Sequence, residues 1–231
     1  ETLSLLIEFH GDQLFYSGLL ERATGLLDEA QVEYEVEVPD EYQALPCPSY
    51  EEIRDSLPGV TLREHQVKAV QKMFIRLRGI VDYATGAGKT EVMIAFAKLS
   101  GLKVLILVTG LKSMVGTIRR CEKYGVEAGA FYGEQQDTTK QITVAVDDSL
   151  YNACKKGGRA FQKFAKHECQ VLIMDECHHL PAATWSISAA YFEALYRFGF
   201  SGSPFASQED LEYSDMQLIG LTGEVIAQVP A

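Results

Sequence analysis

The run Ala84-Thr85-Gly86-Ala87-Gly88-Lys89-Thr90 combines two glycines, a lysine and a threonine in a spacing suited to a polyphosphate. Glycines let backbone N–H groups curl around phosphate oxygens where side chains would obstruct them. A helix beginning just beyond adds the positive end of its dipole. Lys89 is placed to reach β- and γ-phosphates, and the Thr90 hydroxyl to ligate Mg²⁺. The segment departs from the general G-x-x-x-x-G-K-[ST] pattern at one point, where Tyr83 stands in place of the first glycine. Its chemistry is that of a nucleoside-triphosphate loop.

Some 85 residues later, Asp175-Glu176-Cys177-His178-His179 directly follows the apolar run Val171–Met174. An acidic pair at the end of a buried strand is costly unless a cation meets it, and Mg²⁺ held at a phosphate loop supplies that charge. Asp175 would orient the metal through its water shell. Glu176 would take a proton from water attacking the γ-phosphate. His178 and His179 have no partners at ligand spacing, so coupling or hydrogen bonding suits them better than metal binding.

Two weaker signals flank these. Ser201-Gly202-Ser203-Pro204-Phe205 follows the strand-like Phe198–Phe200, and its small hydroxyls could switch hydrogen-bond partners when a ligand changes. Leu62-Arg63-Glu64-His65-Gln66 opens an amphipathic helix upstream of the glycine loop. A Gln66 amide could pair with both N6 and N7 of adenine, and Arg63 could stack on the base.

The elements that must position these residues follow from the hydropathy pattern. GIVDY (79–83), KVLILVT (103–109), ITVAV (142–146) and VLIM (171–174) are short apolar strands separated by polar or helical stretches. That alternation predicts a doubly wound, mainly parallel sheet in an α/β fold, with chemistry at the carboxyl ends of its strands. Residues 1–16 read as a hairpin turning at Gly11-Asp12. Residues 18–31 read as a helix with Leu19, Leu20, Ala23, Leu26 and Leu27 on one face. Val32 to Val38 alternates apolar and acidic residues like a half-buried strand. Pro46, Pro48 and Pro58 then punctuate a polar connection. A boundary near residue 55 divides a small α+β unit (1–55) from the larger domain (56–231).

The 231 residues carry 32 Asp/Glu against 21 Lys/Arg, for a net charge of −11. Residues 1–60 hold 14 of those acids and only Arg22 and Arg54 as basic groups, so nearly all the excess is N-terminal. Such a chain does not grip nucleic acid with its whole surface, although the neutral remainder could carry a local phosphate-binding face. Five irregularly spaced cysteines without a CxxC support neither zinc nor a disulfide framework. A reduced, cytoplasmic setting is expected. No apolar stretch is long enough for a membrane span, and no secretory signal is visible. The chain starts at Glu1 rather than Met, as a trimmed one would.

Taken in order, LREHQ, ATGAGKT, DECHH and SGSPF resemble the Q-motif and motifs I, II and III of superfamily 2 helicases. The branch they resemble most is the XPB-like and phage UvsW-like DNA helicases, which overlap in sequence with the motor subunits of type I and III restriction enzymes. The resemblance spans residues 60–231 and implies a RecA-like first helicase domain preceded by a small N-terminal domain. It implies nucleotide contacts by Arg63, Gln66, Thr85, Gly86, Ala87, Gly88, Lys89 and Thr90, with ATP and Mg²⁺ as cofactors. It further implies metal binding by Thr90 and Asp175, and catalysis by Glu176 with Lys89. Coupling to DNA would fall to His178, Ser201 and Ser203. Motif Ia would be VTGLKSM (108–114) and motif Ib VAVDDSL (144–150), where Asp147 and Asp148 would set carboxylates against DNA phosphates. The partners implied are single-stranded or branched DNA and a second RecA-like domain of the same protein, with no membrane. The chain stops at Val229-Pro230-Ala231, where an interdomain linker would begin. Without the second domain's arginine finger, ATP should bind yet be hydrolysed poorly. The alternatives are a restriction motor on duplex DNA and a nucleotide-regulated protein-interaction module docking through its acidic region.

Overall fold

The computed structural model describes residues 7–9, 12–36, 45–205 and 211–229. Near the N-terminus, β1 (Ile7–Phe9) pairs antiparallel with β2 (Asp12–Leu14), as the hairpin pattern predicts; Gly11 of the expected turn lies outside the described residues. A 3₁₀ turn (Ser17–Leu19) leads into α1 (Leu20–Glu29). The helix exists, but its expected apolar face is not a core face: Leu19 is buried, whereas Leu26 is 66% exposed. Gly18 explains the tight seating of this turn, because a Cβ there would lie 2.1 Å from the carbonyl oxygen of Ile219. Ion pairs of Arg22 with Glu224 and of Glu21 with Arg76 hold α1 against the larger unit.

Of the strand expected from Val32 to Val38, residues 32–36 are irregular, and residues 37 and 38 lie outside the described residues. Alternation alone cannot make a strand without a neighbour to complete its hydrogen bonds. The proline-punctuated connection contains a helix that its composition hides, α2 (Tyr50–Arg54). Ser49 and Glu52 cap it reciprocally, with Ser49 N–H donating to Glu52 at 2.8 Å and Glu52 N–H to Ser49 Oγ at 3.3 Å. Ile53 of α2 is fully buried in the main core, with Leu45 and Tyr50 packed against it.

The large unit follows in order as α3 (Glu64–Ile75), β3 (Arg78–Tyr83), α4 (Lys89–Ser100), β4 (Val104–Val108), α5 (Leu111–Lys123), β5 (Ala128–Tyr132), β6 (Gln135–Gln136) and β7 (Ile142–Val146). It continues as α6 (Asp147–Lys156), α7 (Arg159–Lys163), β8 (Val171–Asp175), α8 (Ala183–Tyr191), β9 (Tyr196–Ser201), α9 (Tyr213–Thr222) and β10 (Val225–Val229). The strands lie in the order β10-β3-β9-β8-β4-β7-β5-β6, all parallel except that β6 runs antiparallel to β5.

The central strands are buried on both faces, which is why they read as unbroken apolar runs. Along β4, Val104, Ile106 and Val108 enter one core, while Leu105 and Leu107 enter the other. The first core is covered by α3, α4 and α5 and is centred on Phe74, Phe96 and Phe198. The second is covered by α6, α8 and α9 and includes Leu150, Trp185 and Ile219. A large aromatic in such a core is worth about 3–5 kcal/mol against alanine. The sheet is therefore a rigid mount for the loops at its carboxyl ends.

Candidate nucleotide site

Three of the four sequence motifs end neighbouring strands. The glycine loop follows β3, Asp175 ends β8 and Ser201 ends β9, and in the sheet β9 lies directly between β3 and β8. With strands about 4.8 Å apart, this brings residues distant in sequence to one edge of the sheet. Lys89 Nζ lies 3.1 Å from Glu176 Oε1, so the loop and the acidic turn are in contact across 87 residues of sequence.

The glycine loop has the backbone its sequence demands. Gly86 (φ +85°) and Gly88 (φ +89°) both adopt left-handed conformations, and Gly88 caps the start of α4. Lys89 and Thr90 are the first two residues of that helix, whose free N–H groups face the loop. Thr85 and Gly86 are exposed, while Ala87, Gly88, Lys89 and Thr90 are half-buried.

Gln66 is buried on α3 and holds the loop from behind. Its Oε1 accepts from the backbone N–H of Arg63 at 2.8 Å, while its Nε2 donates to Gly88 O at 3.3 Å and Ala87 O at 3.5 Å. Arg63 is exposed and joins this arrangement through its main chain. Sequence reasoning missed two further supports. His65 Nε2 lies 3.1 Å from Ala87 O, and its ring meets Tyr83 edge-on at 5.3 Å. Tyr83, where the general pattern has glycine, donates its hydroxyl to His65 O and is buried. The departure from the pattern is thus a brace between α3 and the loop. No spacing signal could have found it, since it depends on packing across 18 residues.

At the acidic turn, Asp175 is pushed up to about 6 by burial and by the adjacent Glu176 charge, with Lys89 opposing. A divalent cation would offset the charge of the two adjacent carboxylates. Glu176 has φ +54°, a conformation non-glycine residues rarely adopt, and its N–H donates to Asp175 Oδ1 at 3.1 Å. His178 Nδ1 lies 3.0 Å from Ser201 Oγ and 3.5 Å from Glu176 Oε2. Burial first, and the neighbouring His179 second, lower the His178 pKa, which favours the neutral ring. Ser201 Oγ, fully buried, also accepts from the Ser203 N–H at 3.2 Å. His178, Ser201 and Ser203 are therefore one hydrogen-bonded unit behind the acidic pair.

The chain matches the family described as type III restriction enzyme, res subunit, over residues 59–206. The chain belongs to this family. Its motifs and relatives make it similar to superfamily 2 helicase domains of the XPB kind. It is 33% identical over 160 residues to the DNA 3'-5' translocase XPB2 of Sulfurisphaera tokodaii, covering 67% of this chain and 35% of that protein. It is 28% identical over 138 residues to the DNA 3'-5' helicase XPB of Mycobacterium tuberculosis, covering 57% of this chain and 24% of that one. The matches thus span about a third or less of these relatives. Among solved structures, the UvsW helicase from Bacteriophage T4 superposes with a TM-score of 0.72 at 18% identity, covering 92% of this chain and 79% of that one. The SWI2/SNF2 ATPase core of Sulfolobus solfataricus, in complex with dsDNA, superposes at 0.57 and 15% identity, covering 75% and 38%. Both likenesses show the RecA-like fold expected from the motifs.

Asp147 begins α6, and its Oδ2 accepts from the Trp185 indole N–H at 3.1 Å. That carboxylate is thereby bonded to α8. Asp148 is exposed in the first turn, where the helix dipole favours a negative charge. The motif Ia segment enters α5 at Gly110. The five cysteines are free thiols. Among the described residues, no helix is long and apolar enough to cross a membrane.

Proposed function

We propose that this chain is the ATP-binding first half of a DNA helicase or translocase, working with a second RecA-like domain of the same protein. The observation that carries the reading is the Lys89–Glu176 contact, which joins the phosphate loop to the acidic turn. Lys89 would bind the β- and γ-phosphates, Gly86 to Gly88 would offer main-chain N–H groups, and Thr90 and Asp175 would hold Mg²⁺. Bound Mg²⁺ would supply the positive charge that offsets the phosphates and the acidic pair. Glu176 would accept the proton of the attacking water, and His178 with Ser201 and Ser203 would pass the site's state towards the DNA face. Gln66 would read the adenine edge only by exchanging its present contacts to the Arg63 N–H and the loop carbonyls, with Arg63 over the base.

The N-terminal 1–55 region would be an acidic accessory unit with a packed junction, since Ile53 lies in the main core. DNA is the partner we assign, in line with the printed names of the relatives, and the setting is cytoplasmic. The family's own description favours a second reading, a restriction motor moving on duplex DNA. A nuclease or target-recognition domain elsewhere in the full-length protein would decide for it. To test the assignment, Glu176→Gln in full-length protein keeps the side chain's shape and removes the base. ATP should still bind while DNA-stimulated turnover collapses by orders of magnitude; normal hydrolysis would place the catalytic base elsewhere.

A further inference from the structure

Beyond His178, the acidic turn continues into a second set of contacts that the ATP reaction does not require. The His178 and His179 rings lie 4.2 Å apart between centroids, and His179 lies 5.7 Å from the Trp185 ring, both within the range of direct ring contact. Trp185 sits on α8, 3% exposed, and its indole N–H donates to Asp147, the first residue of α6. Leu150 and Ala153 of α6 share a core with Trp185 and Ala189 of α8, so the two helices are packed along their length. One continuous line of side chains therefore runs from Glu176 through His178, His179 and Trp185 to the start of the motif Ib helix.

We infer that Trp185 is a positioning residue that ties the acidic turn to α6, so that a change at Glu176 is carried to residues 147–150. The inference rests on the nucleotide reading above. A triphosphate would compete with Glu176 for the Lys89 ammonium, now 3.1 Å from it. Glu176 holds a left-handed backbone (φ +54°), a conformation that costs free energy in a non-glycine residue and that its contacts must maintain. His178 and His179 follow it within three residues in a single 3₁₀ turn. The indole then links that turn to Asp147 through one ring contact and one hydrogen bond. A buried indole N–H needs some acceptor in any fold. What sets this one apart is that its acceptor opens the helix of motif Ib while its ring meets the motif II turn.

Two readouts on the intact chain test this. Trp185 is the only tryptophan, so intrinsic emission reports its surroundings directly. MgATP binding measured by calorimetry should be accompanied by an emission change with the same midpoint. His179→Ala should abolish that change while leaving nucleotide affinity within about twofold, since His179 is exposed and outside the phosphate site. In parallel, amide exchange of a peptide covering residues 146–153 should shift by about threefold on adding MgATP, the scale of a single coupled contact. Trp185→Phe keeps most of the packing but cannot donate to Asp147, and should erase that shift. Asp147→Asn retains an acceptor and should keep it. An exchange shift that survives Trp185→Phe, or calorimetric binding with neither emission nor exchange changing, would show that the indole serves packing only. Absence of calorimetric binding in the unmodified chain would instead overturn the nucleotide reading on which the inference rests.

Discussion

Gln66 fills the space a side chain at residue 88 would need: a Cβ on Gly88 would lie 2.1 Å from Gln66 Nε2. Two motifs 22 residues apart are therefore fitted to each other before any nucleotide is considered. The left-handed φ of Gly88 (+89°) adds a second reason for glycine there.

Gly88→Ala should consequently destabilise the chain by about 1–3 kcal/mol, from strain and the collision together. Gln66→Ala should cost about 1–2 kcal/mol by orphaning the Arg63 N–H. The double variant should be less destabilised than the sum, because shortening Gln66 removes the collision, with a coupling of about 0.5–3 kcal/mol. Urea unfolding of the four proteins measures this. Strict additivity would mean that the two residues do not meet.

Asp175 gives the domain a pH signature. Its folded-state pKa of about 6 stands above the unfolded value of 3.8, so the folded chain holds the proton more tightly. The group's contribution to stability is thus full below about pH 4, declines as pH rises to about 6, and is absent above. Asp175→Asn removes that loss. In Mg²⁺-free buffer at pH 7.5 the variant should be more stable by about 1–3 kcal/mol, with the advantage vanishing near pH 4. Thermal melts across this range check it; a variant less stable at pH 7.5 would contradict the burial cost assigned to this carboxylate.

The contrast between what the residues announced and what they concealed has physical causes. β4, β7 and β8 were legible because strands buried on both faces leave unbroken Val, Ile and Leu runs. The glycine loop and the acidic pair were legible because phosphate and metal chemistry admit few residue types. β5, with the sequence AGAFY, carries no β-branched residue and was not seen. The cap of α2, Ser49 with Glu52, was present but masked by its prolines. Val32 to Val36 shows the opposite error, a strand pattern that pairs with no strand among the described residues. The Asp147–Trp185 bond was not legible, because only the fold brings those residues together.

The acidic N-terminal unit should oppose DNA rather than hold it. Its exposed carboxylates repel a polyanion over roughly the 8 Å Debye length at physiological salt. Deleting residues 1–55 would also remove Ile53 from the core, so substitution is the cleaner test. Glu29, Glu33 and Glu35 are all exposed, and changing the three to Gln in full-length protein should leave DNA affinity unchanged or tighten it, most visibly at low salt. Anisotropy titrations over a salt series read this out. A clear loss of affinity would assign the segment a DNA-holding role.

Binding of MgATP at the β3 loop is the central claim, and Lys89 is its most direct probe. Calorimetric titration of the chain and of Lys89→Ala with MgATP should show the variant weakened by about 2–3 kcal/mol, roughly 30- to 150-fold in Kd, the scale of a charge-assisted contact in a partly buried site. Equal affinities for the two proteins would contradict the assignment.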